Sequence, residues 1–302
     1  MNKIIKRGRG GQSHASWQTC AAGPFFMISA AISFAVLDIF VKLISPQYNA
    51  WSIGFYRFFG GMVIILMIFG RKGNIYRGEN IPLLIIRGCT GSVAFISVII
   101  AIRMLPVSTA VVIFYSFPAF SAIFSFLIHG ERLRRLEILC IVAVMAGTAV
   151  LFDFHPGNTS NMTGQIMAVV GAVFAGLTVT LIRTLRKKNG PVIIYLYFCT
   201  IGTLVTAPMF GMHSVFPITM VDGFMVMGII LSSLAGQLLM NQGFFYCRGW
   251  EGGVFMSGEV VFAAVAGIVF LGDPATWRFF TGGSIILVSV AVLNGLMAAR
   301  QH

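Results

Sequence analysis

Four ionisable residues stand inside apolar runs of this sequence: Asp38 in "FAVLDIFVKLIS", Arg57 in "FYRFFGG", Arg87 in "LLIIRGCTG" and Glu259 in "FMSGEVVFAAVAGIVFLG". A charge at the centre of a bilayer costs at least a few kcal/mol, so it is seldom left facing lipid. Each must find a partner inside a helical bundle or handle something that crosses the membrane. At 1.5 Å of rise per residue, Glu259 and Arg87 each lie about 10 Å from the inner ends of their helices. Glu259 therefore has two readings: a structural ion pair with Arg87, or a site for a proton or a cationic group of a solute. Asp38 and Arg57 lie at a similar depth, about 10 Å, from the outer ends. They can bridge adjacent antiparallel helices, as a structural pair or as a gate. Lys42, one turn beyond Asp38 with the acid first, competes for the same carboxylate.

Neutral polar residues add to these. In "MGIILSSLAGQLLMNQGFFY", Ser233, Gln237 and Asn241 follow one another at i, i+4 and i+8 and so share one helix face. Amides inside a membrane helix must find partners, either on another helix or on a solute with hydrogen-bonding groups. Tyr115 stands three residues before Pro118, whose missing N–H frees a backbone carbonyl that can face a cavity. Tyr115, Gln237, Asn241 and Glu259 are thus the candidate substrate or coupling residues. Asp38, Lys42, Arg57 and Arg87 are candidate gate or structural ion pairs. Around Glu259, the small residues Ala263 and Ala266 share its face, whereas Val254, Val261, Val265 and Ile268 form the opposite, bulky stripe. Small residues allow close helix packing, so Glu259 is expected to point into the bundle. No metal site or cofactor is expected: His129 has no ligand partner at useful spacing, and the five cysteines are scattered without a CxxC pair. There is no phosphate-binding glycine loop, HExxH or nucleophile elbow. An integral-membrane enzyme would need His, Asp or Cys gathered at one depth, so an enzymatic role is not expected.

The elements that must position these residues are set by composition. Hydrophobic residues make up 57% of the 302 and charged ones 10%, against roughly 25% charged in soluble domains. Ten apolar runs recur, at 24–44, 50–70, 81–102, 105–129, 134–153, 163–187, 191–211, 222–245, 252–271 and 276–298. Each can span ~30 Å of hydrocarbon. The short polar stretches between them leave no room for a soluble domain. The expected architecture is an all-α integral membrane protein of ten transmembrane helices. With the N-terminus inside, sixteen Lys and Arg fall in inner loops and tails, and three, Lys42, Arg103 and Arg278, fall outside. That bias places both termini in the cytoplasm. The net charge of +12 is then an orientation signal with a minor role toward anionic lipid, and nucleic acid is not an expected partner. The basic start resembles the n-region of a signal peptide, but the long helix after it carries Asp38 and Lys42 and lacks a clear cleavage site, so it is read as uncleaved.

The chain also repeats itself. "FSAIFSFLIHGERLRRLEILCIVAVMAGTAVL" (120–151) and "FAAVAGIVFLGDPATWRFFTGGSIILVSVAVL" (262–293) superimpose at an offset of 142 residues without a gap. In each, an apolar helix stops at glycine plus an acid, Gly130-Glu131 and Gly272-Asp273. The acid is expected near the N-terminus of the helix that follows. Five helices per repeat, an odd number, turn the two halves opposite ways in the membrane, the arrangement of alternating-access transporters. The order and spacing of "FAVLDIFVKLIS", "FYRFFGG", "LPVSTAVVIFYSFPAFSAIFSFLIHGERL" and its echo "GGVFMSGEVVFAAVAGIVFLGDP" resemble the EamA type of the drug/metabolite transporter superfamily, over about residues 24–298.

The resemblance implies two inverted five-helix repeats with a substrate cavity between them. The expected division is a basic cytoplasmic tail (1–23), a first repeat (24–153) and a second (163–298). The expected function is secondary transport of a small polar or amphipathic organic metabolite, amino-acid-like, vitamin-like or drug-like, across a bacterial inner membrane. Without a nucleotide-binding motif, the energy must come from a gradient of the solute, a counter-substrate or protons. Glu259 is the candidate proton site, and export is favoured over uptake on family tendency. The alternative is a flippase for a lipid or lipid-linked sugar. The expected partners are the small-molecule substrate and the bilayer, with the protein a monomer or homodimer.

Overall fold

The computed structural model describes residues 13–70, 76–130, 133–152, 159–186, 188–212, 215–246 and 255–298. The N-terminal basic tail up to residue 12, Glu131, Val254, most of the 154–162 loop, and the basic residues Arg71, Lys72, Arg132, Lys187, Arg248 and Arg300 lie outside them. Every regular element among the described residues is a helix. The first half comprises α1 (Ser13–Leu43), α2 (Ala50–Phe69), α3 (Ile81–Met104), α4 (Val107–Phe114), α5 (Phe117–His129) and α6 (Arg135–Leu151). The second comprises α7 (Thr159–Leu185), α8 (Pro191–Met212), α9 (Met220–Tyr246), α10 (Gly258–Phe270) and α11 (Trp277–Ala298). Seven stretches among the described residues are long and apolar enough to cross a membrane, with α4 and α5 counted together as Val107–Ile128. The other three expected spans fall on α6, α10 and α11.

Local sequence explains the helix ends. Asn49 caps α2 by accepting from the Ser52 N–H at 2.8 Å, and Glu137 reaches back to the Arg134 N–H at 2.8 Å at the start of α6. Each satisfies a donor that the first helical turn leaves without a partner. Gly130 and Gly272, the repeated glycines, both take the left-handed conformation, with φ of 67° and 69°, which a side chain disfavours. The acid after the second glycine behaves otherwise than expected. Asp273 accepts from both the N–H and the hydroxyl of Ser108, at 2.9 and 2.8 Å. It therefore sits at the N-terminus of α4, in the other repeat, and not at that of the helix after it. The positive end of α4 offers a buried N–H that the exposed start of α11 does not need filled.

The major packing pairs all join one repeat to the other: α1 with α9, α3 with α7, α2 with α8, α4 with α10 and α6 with α11. Exchanging the repeats turns the first of these pairs into the second and leaves the α2–α8 and α6–α11 pairs unchanged. The chain is thus an all-α integral membrane protein built as two inverted repeats wrapped on each other. Close approach at the α6–α11 contact rests on glycine. A Cβ on Gly147 would lie 3.0 Å from the Gly282 carbonyl oxygen, and one on Gly282 would lie 2.8 Å from that of Gly147. Bulky residues face outward, as on α1, where Phe25, Ile28, Ile32 and Val36 form one exposed stripe suited to lipid.

Candidate binding site

The site begins where two helices break. Between α4 and α5 the chain interrupts its ladder at Tyr115 and Ser116, just before Pro118. The 142-residue offset carries Ser116 onto Gly258, and there the second repeat breaks too, with a turn at Ser257. The two interruptions meet. The Tyr115 hydroxyl lies 2.6 Å from the Met256 carbonyl oxygen and 2.8 Å from Glu259 Oε2. The Met256 carbonyl is left over at the break, where the Val260 N–H goes to Ser257 instead, at 3.2 Å. Glu259 points inward as its small-residue face predicts: Glu259, Ala263 and Ala266 are buried, while Val261 and Val265 are exposed.

This junction forms part of the wall of a cavity of 140 Å³ between the repeats, which Asp38, Arg57, Arg87 and Gln237 also line. Such a volume holds about five waters, or one small organic molecule. The four charges, expected as two pairs in opposite leaflets, instead share one central space. Counting residues from helix ends gives depth along one axis and misses how tilted helices converge. Nor do the expected pairs form. Among the described residues, no ion pair joins Glu259 to Arg87 or Asp38 to Arg57. Glu259 meets Tyr115. Arg87 Nη2 reaches the Gln237 side-chain oxygen at 3.5 Å, and Arg57 Nε donates to Ser233 Oγ. Asp38 Oδ2, Arg57 Nη1 and Arg87 Nε and Nη1 are buried without a hydrogen-bond partner among the described residues.

What the two arginines do have is aromatic surface. The Arg57 guanidinium lies 3.4 Å from the centre of the Phe95 ring, and the Arg87 guanidinium 4.1 Å from that of Phe198. Phe198 touches both, standing 5.2 Å from Arg57. Ring faces attract a cation while leaving its N–H groups free at the edge. Gly91, one turn after Arg87, makes room: a Cβ there would lie 2.9 Å from Phe198 and 3.1 Å from Arg87 Nη1. Sequence reading missed Phe95 and Phe198, which nothing distinguishes among 28 phenylalanines.

Other candidates fall outside the cavity. Asn241, the third member of the α9 stripe, is buried and does not line it. Lys42 does not turn back to Asp38. Its ammonium donates to the carbonyls of Ile102 and Leu105, at 3.0 and 2.6 Å, at the end of α3. Arg103 of α3 returns the contact to α1, donating to Ile44 and Val41 at 2.8 and 3.4 Å. Each helix supplies the cation that caps the other's C-terminus, where carbonyls have no partner within the helix.

Two polar clasps join the repeats at the two ends of the bundle. At one end Asp222 accepts from Ser45 Oγ at 2.6 Å and from Gln47 at 3.5 Å. At the other, Asn189 exchanges two hydrogen bonds with the Glu79 backbone, at 2.8 and 3.0 Å, and Lys188 pairs with the Glu79 carboxylate at 3.2 Å. The offset of 142 carries Gln47 onto Asn189, and Asn80, the neighbour of Glu79, onto Asp222, so the clasps fall at corresponding places in the two repeats.

Comparison with known proteins agrees with this geometry. The family model described as "EamA-like transporter family" matches twice, at residues 21–153 and 162–295. The pseudopaline exporter CntI of Pseudomonas aeruginosa (strain UCBPP-PA14) is 27% identical over 90% of this chain and 96% of its own. The human solute carrier family 35 member G1 is 24% identical over 88% of this chain and 77% of its own. One protein of known crystal structure superposes with a TM-score of 0.66 at 16% identity, covering 93% of this chain and 99% of its own. That last likeness is one of fold.

Proposed function

The chain belongs to the EamA-like transporter family, and on that premise we propose that it exports a small polar or amphipathic organic metabolite by alternating access, coupled to a proton on Glu259. The membrane is the bacterial inner membrane, with both termini in the cytoplasm, as the Lys and Arg distribution favours. Residues 24–153 and 163–298 form the repeats that exchange roles. Export is supported by the bacterial relative, which is itself an exporter.

The observation that carries the proton assignment is a count of hydrogens. The Tyr115 hydroxyl has one, yet it lies within hydrogen-bond distance of two acceptors, Met256 O and Glu259 Oε2. Both contacts can be hydrogen bonds at once if Tyr115 donates to the carbonyl and a protonated Glu259 donates to the phenol oxygen. Without that proton, the phenol has to choose between carbonyl and carboxylate. Tyr115 belongs to the first repeat and Met256 and Glu259 to the second, so the choice alters the join between the halves at the level of the cavity. A proton on Glu259 is in this way linked to the relative position of the repeats, which is what coupling requires.

The test is flux into proteoliposomes, using a panel of radiolabelled organic acids and amino acids, normalised to folded protein and repeated across pH. Glu259→Gln keeps the volume and can still donate to Tyr115, but it cannot titrate. It is expected to fold and to lose the pH dependence together with coupled flux. Normal flux with the wild-type pH profile would overturn the assignment.

A further inference from the structure

Two buried arginines without carboxylate partners raise a question of charge. Arg57 and Arg87 are 2% and 1% exposed, stand against a shared ring, and keep three buried nitrogens free of any partner among the described residues. A desolvated cation left in that state is costly, and natural structures pair it. The cavity's own acids do not supply the pair. Glu259 is engaged with Tyr115, and Asp38 makes no ion pair with either arginine. With Glu259 protonated, two guanidiniums face one remaining carboxylate, and the space is net positive.

We infer that the cavity is built for an organic anion, whose carboxylate is held between the guanidinium groups of Arg57 and Arg87. The rest of the wall decides between a bare inorganic anion and one with a carbon skeleton. Phe34, Leu37, Val98, Val111 and Met240 line it, and such a surface gains from apolar contact and offers nothing to an ion's water shell. The guanidinium fork matches a carboxylate in two-point geometry, and Phe95 and Phe198 fix the planes of the two forks before the solute arrives. Preset donors of this kind lower the ordering cost of binding. Lys42 and Arg103 do not share these features, because both are spent on helix ends.

This inference rests on the reading of the cavity as the transport site, and the two can fail separately. The protein in lipid nanodiscs is titrated with benzoate and glutarate, with benzamide and benzylamine as matched neutral and cationic probes, and its unfolding midpoint is followed. The carboxylates are expected to raise the midpoint, and the amide and amine are not. Arg57→Gln and Arg87→Gln are each expected to weaken carboxylate binding by more than about tenfold, while the variants without probe unfold no earlier than wild type. Equal binding of the amide and the acid, unchanged affinity in both variants, or no response to either carboxylate would overturn the site. So would loss of folded protein in both variants, which would show that the cations serve the fold. Carboxylate binding without flux would leave the anion site standing and remove the transport reading. Flux of another solute without carboxylate binding would do the reverse.

Discussion

At the scale of the residue, the centre of this protein is a single phenol. Tyr115 is 1% exposed and joins the repeats through atoms that a helix ordinarily uses up. Met256 has a spare carbonyl because the chain breaks there, and Glu259 has a spare oxygen because no cation pairs with it. Removing the hydroxyl alone separates packing from bonding, since Phe fills nearly the same space. Tyr115→Phe is expected to lower stability by about 1–3 kcal/mol, the cost of leaving buried acceptors without a donor. It is also expected to shift the pH profile of flux, because Glu259 then titrates without its partner. Thermal unfolding in detergent and flux across pH read the two effects separately, and an unchanged pH profile would detach Tyr115 from coupling.

Among the elements, α1 and α3 are tied by their ends. Lys42 and Arg103 each stand in the last turn of one helix and bond the terminal carbonyls of the other. Two long helices that line the cavity are thus locked in register at one end. The exchange is electrostatic as well as geometric, because the C-terminal end of a helix carries partial negative charge. Arg103→Leu keeps the stem and removes the donors. It is expected to cost about 1–2 kcal/mol, the range for a partly buried cation at a helix C-terminus, and to lower flux through loosened register. A variant whose unfolding midpoint matches wild type would show that water serves those carbonyls equally well.

For the whole molecule, the matched clasps are the feature that inverted symmetry makes significant. Ser45, Gln47 and Asp222 hold the repeats at one end; Lys188, Asn189 and Glu79 hold them at the other. A molecule that opens to one side at a time must release one set while keeping the other. The Lys188–Glu79 ion pair is largely exposed and contributes little by itself. The buried Asn189 bonds contribute more. Ser45→Cys with Asp222→Cys, oxidised to a disulfide, is expected to abolish flux, and reductant is expected to restore it. Binding from the clasped side should fail in the cross-linked protein, while binding from the other side persists. Full flux in the cross-linked protein would show that this end never opens.

Membrane residence, the ten spans, the repeat and the inward face of Glu259 were determined by the sequence alone. Each depends on a periodicity or an average over many residues, and lipid enforces those patterns strictly: an apolar run long enough to cross has few other uses. The glycine stops at Gly130 and Gly272 were legible for the same reason, since a local backbone conformation needs only a local residue. The partner of each buried charge was not. Asp38 beside Lys42 and Glu259 level with Arg87 were sound guesses from spacing and depth, yet Lys42 caps α3, Asp273 caps α4, and Arg87 lies on Phe198. A side chain bonds whatever the fold brings within about 3 Å, and helix position along the sequence fixes neither tilt nor rotation to that tolerance. Only the packed bundle decided that four charges share one cavity, and that two aromatic rings hold the arginines with their donors free.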